Sequence, residues 1–221
     1  MPLNSRWPWP RSGDRTGSAP RQKKAQSMLI KETTRERAEN DTTILVPVHD
    51  LILPQGRICR LYVGNLTGAS DGAALLAAGI TSSLNVSLNI DVAPLQLPDG
   101  THMRRAKVGL IDGAGNTPAH LAAAVLALEG LVTQASPGKP NYPAHRAGHV
   151  LVNCRGGRSR SVVVLAIYLH LRAPGTFPTL DSAVSHIRRA RGNSDTYPLP
   201  PMLDLARAVL ASGSLPALLR G

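Results

Sequence analysis

The sequence predicts a single α/β domain, with a central mostly parallel or mixed sheet of about four to five strands flanked by helices. Three observations carry that prediction. Between Thr42 and Ser212, β-branched runs alternate with segments of helical periodicity. One strand candidate, "HVLVNC" (His149–Cys154), is short and almost continuously apolar, as strands buried on both faces are. The segment that follows it, "SVVVLAIYLHL" (Ser161–Leu171), is apolar nearly all round and so belongs at the centre of a domain.

The elements can be justified in order. "TTILVPV" (Thr42–Val48) and "RICRLYVGNL" (Arg57–Leu66) read as strands separated by turn residues around Pro54-Gln55-Gly56. "SDGAALLAAG" reads as a short helix capped by Ser70 and stopped at Gly79. "ITSSLNVS" (Ile80–Ser87) and "AKVGLID" (Ala106–Asp112) are further strands. A longer helix runs from Pro118 to Gln134, with Leu121, Val125, Leu128 and Val132 on one face. "ASPGKPNYPAHRAG" (Ala135–Gly148) has the composition of a surface loop. Helices over Thr179–Arg191 and Pro201–Ser212 complete the chain.

Composition sets the limits on function. The chain has 221 residues, 43% of them hydrophobic but only 3% aromatic, so Val, Leu, Ile and Ala must build the core. Its apolar stretches fall far short of the ~20 residues of a membrane span, and its N-terminus lacks the apolar segment of a secretory signal. Two cysteines, Cys59 and Cys154, supply neither a disulfide framework nor a metal-ligand cluster, so no metal or other cofactor is expected. Together these features predict a cytoplasmic protein of a reducing compartment. Residues 1–41, rich in Pro, Gly, Ser and charge, are expected to form a basic disordered tail. The folded domain is expected over 42–212, with a short C-terminal tail over 213–221.

The formal charge of +11 invites a nucleic-acid reading. The excess is divided, however. Part lies in the tail, and part in "CRGGRSR" and "HIRRARG", with none of the interleaved aromatics that stack single-stranded bases. The tail is therefore expected to find no more than a weak anionic partner.

The stretch "NCRGGRSRS" (Asn153–Ser161) carries the chemistry. A buried strand leads into a glycine loop, and the loop opens a buried helix. Such a loop turns successive backbone N–H groups inward, and the helix N-terminus adds positive potential, which together make an anion site. Gly156 and Gly157 let the backbone curl. Arg160 can fork two donors onto two phosphate oxygens. In that field the thiolate of Cys154 is favoured, which arms it as a nucleophile. A cysteine at a strand end beside a basic turn can also be purely structural. The arrangement Cys, five residues, Arg, Ser, with a strand before it, favours the functional reading.

The loop resembles the signature of the cysteine-dependent phosphatases, and the likeness extends along the chain. "RLYVGNLTGASDGAALLAAGITSSLNVS" resembles the opening of the dual-specificity protein phosphatases, and "VGLIDGAGNT" resembles the loop bearing their general acid. The resemblance spans Thr42 to Leu210. It implies that Cys154 attacks phosphorus and forms a phosphocysteine. Arg160 and the loop residues Arg155, Gly156, Gly157, Arg158 and Ser159 would hold the phosphate. Asp112 would serve as general acid, and Ser161 would ease thiolate release. The implied substrate is a phosphorylated protein or another phosphomonoester, with phosphotyrosine first and phosphoserine or phosphothreonine also accepted.

The sequence departs from the family at Asn153, where the usual residue is His. An Asn there can hydrogen-bond to the backbone but carries no charge, which leaves room for a catalytically weak phosphate-binding protein. Relatives that act on inositol phosphates or phosphoinositides place basic residues where Arg155 and Arg158 stand. A rhodanese-like sulfurtransferase is a more distant alternative. Asp71 is expected to serve a helix start, Asn116 to cap a helix, Cys59 to sit in the core, and His170 and His186 to lie on helix surfaces.

Overall fold

A computed structural model describes residues 32–134 and 138–219. Of the 1–41 tail, residues 1–31 lie outside the described residues, as do positions 135–137 of the expected loop. Five strands form one sheet in the order β1-β2-β5-β3-β4. They are β1 (Leu45–Ile52), β2 (Ile58–Gly64), β3 (Ile80–Ser87), β4 (Arg104–Leu110) and β5 (His149–Asn153). Only the β1–β2 hairpin is antiparallel; β2–β5, β5–β3 and β3–β4 are parallel. The mixed α/β architecture matches the expectation.

Every residue of β3 is buried, including Thr81, Ser82, Ser83, Asn85 and Ser87. A central parallel strand has neighbours on both edges and cover on both faces, so its polar side chains are shielded as fully as its apolar ones. On β5 the period-two alternation divides the core. Val150 and Val152 join the larger cluster and Leu151 the smaller. The larger cluster packs under α4 (Pro118–Thr133), α5 (Arg160–Arg172), α6 (Leu180–Arg191) and α7 (Pro200–Ala211). The smaller lies under α2 (Leu66–Ser70), α3 (Gly72–Ala77) and the segment from Val92 to Met103.

Helix α5 is buried from Arg160 to Leu169 and forms the centre of the domain, as its all-round apolar sequence requires. The Tyr168 hydroxyl in its middle donates to Glu129 on α4 at 2.5 Å. Cys59 sits in the core with its thiol pushed up to about 11, chiefly by burial. No helix among the described residues is long and apolar enough to cross a membrane.

Several boundaries differ from the sequence reading. Strand β1 starts at Leu45 rather than Thr42, because the Asn65 side chain takes the Ile44 N–H and the Thr42 carbonyl for itself. Helix α3 is capped by Asp71, which accepts from Ala74 N–H, while Ser70 ends α2. Neither flank of the domain is simply a tail. Residues Thr34–Asn40 form helix α1, closed by a capping box between Thr33 and Glu36. Residues Ser214–Leu219 form helix α8, which buries Leu215 and Leu219 against the core. The composition of 32–41 suggested a solvated coil, yet its carboxylates find buried arginines on the far side of the sequence. His170 and His186 are half-buried and not superficial: His170 Nδ1 lies 2.9 Å from the Phe177 carbonyl, and His186 Nε2 lies 2.7 Å from the Val48 carbonyl.

Candidate active site

The site forms where the parallel strands end. Strand β5 delivers Cys154 to the carboxyl edge of the sheet, the loop 155–159 turns, and α5 begins at Arg160. Crevices at the carboxyl ends of parallel strands are where open α/β sheets bind ligands. Cys154 is 2% exposed, with its Sγ 3.3 Å from the Ser161 Oγ. Burial alone would push this thiol up. The Arg160 guanidinium and hydrogen bonds from the Ser161 side chain and backbone outweigh both burial and the opposing Asp112 charge, so the thiol lies below its usual range.

The backbone of the loop is held from outside. Leu66 N–H donates to the Arg155 carbonyl at 3.1 Å. Arg191 donates to the Gly156 carbonyl at 3.2 Å, and the Asn193 amide to the Arg158 carbonyl at 3.4 Å. In a trans peptide the C=O and the following N–H point in opposite directions. The amides of Gly156, Gly157 and Ser159 are thereby turned toward the other side of the loop, as a cradle for an anion requires. Gly157 has φ +67°, and a Cβ there would stand 2.7 Å from the Gly64 carbonyl oxygen, so this position demands glycine.

Arg160 is buried and reaches across to the end of β4. It donates to the Leu110 carbonyl at 3.2 Å and to Asn89 Oδ1 at 3.4 Å, and its Nε lies 3.5 Å from Asp112. Asp112 sits in an exposed loop between Gly113 and the end of β4, with its side chain 36% accessible. The structure thus brings Cys154, Arg160, Ser161 and Asp112 together, and it places Arg155, Gly156, Gly157, Arg158 and Ser159 in the loop between them. Among the described residues there is no group of three or more His, Cys, Asp and Glu placed to hold a metal.

Several expectations for individual side chains need correction. The Arg158 side chain is not free to hold a phosphate. Its side chain is only 6% exposed and is committed to Glu32 at 2.6 Å, the Glu36 carbonyl at 3.3 Å and Asn40 at 3.3 Å, with its guanidinium over the Tyr197 ring. Arg155 remains 57% exposed, 3.8 Å from Glu32. The Ser159 hydroxyl accepts from Leu199 N–H, outside the loop. Asn116 organises the Asp112 loop rather than capping α4. It accepts from Ile111 N–H at 2.9 Å and donates to the carbonyls of Ile111 and Gly113. Pro118 was the available signal: proline favours the first helical position, which makes Thr117 the cap and releases Asn116.

Asn153 is fully buried, and neither its Oδ1 nor its Nδ2 has a hydrogen-bond partner among the described residues. The expected backbone hydrogen bond is not made. A buried unpaired amide costs roughly 1–3 kcal/mol. Asn153→Leu, close in shape, should therefore raise the melting temperature by a few degrees, about 2–4 °C per kcal/mol for a chain of this size. A lower melting temperature by calorimetry would show that the amide has a partner in solution.

Solved structures share this arrangement of strands and helices. A single-residue variant of human DUSP28 aligns with a TM-score of 0.54 at 27% identity, covering 78% of this chain and 100% of that one. The chain has the dual-specificity phosphatase fold. A mouse putative dual-specificity phosphatase, in complex with zinc tungstate, aligns at 0.54 and 25% identity over 78% of this chain and 92% of its own. The Yvh1 phosphatase domain from Chaetomium thermophilum aligns at 0.53 and 22% identity, covering 71% and 93%. No protein-family model matches the chain, and no curated protein matches it significantly by sequence. Within the dual-specificity phosphatase fold, the loop from Cys154 to Arg160 is the strand-to-helix turn at the centre of the sheet.

Proposed function

We propose that this protein is a cysteine-dependent phosphatase that hydrolyses phosphomonoesters through a phosphocysteine. The observation that carries the proposal is the convergence of a buried thiol held below its usual range, a guanidinium, a hydroxyl and an accessible carboxylate around one backbone cradle. The fold likeness supports it, as does the oxyanion complex of the mouse structure, since tungstate is tetrahedral like phosphate.

In the first step the Cys154 thiolate attacks phosphorus in line with the leaving oxygen. The S–P bond forms as the P–O bond breaks, and Asp112 gives its proton to the departing oxygen. Arg160 and the loop amides hold the equatorial oxygens, whose charge they are placed to stabilise. In the second step Asp112 takes a proton from water, which attacks phosphorus, and the thiolate leaves with a hydrogen bond from Ser161. A phosphotyrosine or phosphoserine/threonine side chain of a protein is the substrate best suited to this site. The inositol-phosphate reading needed both Arg155 and Arg158 to hold neighbouring phosphates; Arg155 is exposed, but the Arg158 guanidinium is bound to Glu32 and α1 instead. The fold likeness favours phosphatase over sulfurtransferase chemistry. A reducing compartment such as the cytoplasm suits the mechanism, because Cys154 has to remain a free thiol.

Rapid quenching in denaturant with a ³²P-labelled aryl phosphate tests the mechanism. Label that is lost in acid but survives mild alkali is expected on the peptide containing Cys154. Turnover with no label on that peptide would refute the covalent route, and absence of turnover would leave a phosphate-binding protein.

A further inference from the structure

Three of the loop's carbonyls are gripped from outside the loop, and one grip is unlike the others. The Arg155 carbonyl is held by a backbone amide and the Arg158 carbonyl by the Asn193 side chain. The Gly156 carbonyl is held by Arg191, a guanidinium whose side chain is 5% exposed and whose charge must be balanced inside the protein. The balancing group is Glu39 of α1, 3.0 Å away and 152 positions distant in sequence. The same Arg191 nitrogen donates to both Glu39 and Gly156.

The peptide gripped in this way joins two glycines, Gly156 and Gly157. With no Cβ on either side, this unit is the part of the loop that rotates most easily. Rotated by half a turn, it would aim a carbonyl oxygen where the Gly157 N–H now points, and repel the anion it should bind. We propose that Glu39 and Arg191 are positioning residues that lock the Gly156–Gly157 peptide with its N–H toward the bound oxyanion. Glu32, just ahead of α1, and Asn40 of α1 hold the side chain of the neighbouring Arg158, so the segment 32–40 is a working part of the site. Without Glu39, the buried Arg191 cation would move toward water or another acceptor and release the carbonyl.

The inference rests on the oxyanion site of the phosphatase reading but not on turnover. Its test is therefore a binding measurement on the full-length chain: protection of Cys154 from iodoacetamide by inorganic phosphate or tungstate. In Glu39→Ala the concentration giving half-protection should rise roughly tenfold, the effect of one misdirected donor. Glu39→Gln, whose amide oxygen can still accept from Arg191, should fall between this variant and the wild type. Leu215→Ala in α8, which also destabilises the fold, should leave the midpoint where it is in the wild type. An unchanged midpoint in Glu39→Ala overturns the proposal, as does an equal shift in Leu215→Ala. Should Glu39→Ala fail to fold, Glu39→Gln decides, an unchanged midpoint again being fatal. No protection of the wild type would instead remove the oxyanion site itself.

Discussion

Replacement of Cys154 by serine is expected to abolish aryl-phosphate turnover, by at least about four orders of magnitude, with little change in melting temperature. The size of the loss follows from acidity. A serine hydroxyl is a far weaker acid than a thiol and stays protonated even in a site whose donors hold a thiolate. The fold should tolerate the exchange, because Ser is smaller than Cys and Ser161 can still hydrogen-bond to it. The wild type offers a companion measurement. Because Arg160 and Ser161 hold the thiol below its usual range, alkylation should persist to lower pH than for an unperturbed cysteine. Rates of alkylation and turnover should then fall together as the thiolate takes up its proton. An alkylation midpoint at or above that of an ordinary thiol would contradict the electrostatics described for the loop.

Asp112→Ala is expected to slow hydrolysis of phosphotyrosine by about 10²–10⁴-fold, with a much smaller loss for an aryl phosphate whose leaving group needs no proton. Two side effects separate this outcome from general damage. Asp112 stands 3.5 Å from Arg160, so its removal frees the guanidinium for phosphate, and KM should not rise. Its negative charge also opposes ionisation of Cys154, so the alkylation midpoint of the variant should move to lower pH. Equal losses for both substrates, or a midpoint that moves upward, would take Asp112 out of the acid role.

The parts of the site that were legible in the sequence are those written contiguously. Strand, glycine loop, arginine and helix follow one another from His149 to Arg172, and local chemistry specified them. The β1–β2 hairpin, α4 and α6 were similarly readable from periodicity and turn residues. Legibility ended where partners are distant. Arg158 and Arg191 are ordinary basic residues of a loop and a helix until Glu32 and Glu39 fold onto them from 126 and 152 positions away. Composition averaged those two glutamates into a charged tail. Leu215 and Leu219 fall within the expected C-terminal tail for the same reason, although four aliphatic residues in "SLPALL" can bury one face of a short helix. Asn153 differs in the opposite direction: its amide is able to hydrogen-bond to the backbone, and no partner for it stands among the described residues.

The ion pairs of α1 also decide where the chain can be cut. Composition would place the start of the independent unit at residue 42, after the last charged stretch. A chain begun there would keep Arg158 and Arg191 in the interior and discard Glu32, Glu36 and Glu39, which face them. Buried cations stripped of their counter-charges are strongly destabilising, by about 3–5 kcal/mol when one partner of such a pair is lost. An autonomous unit therefore has to begin no later than Glu32 and to include a helix that composition alone would have discarded.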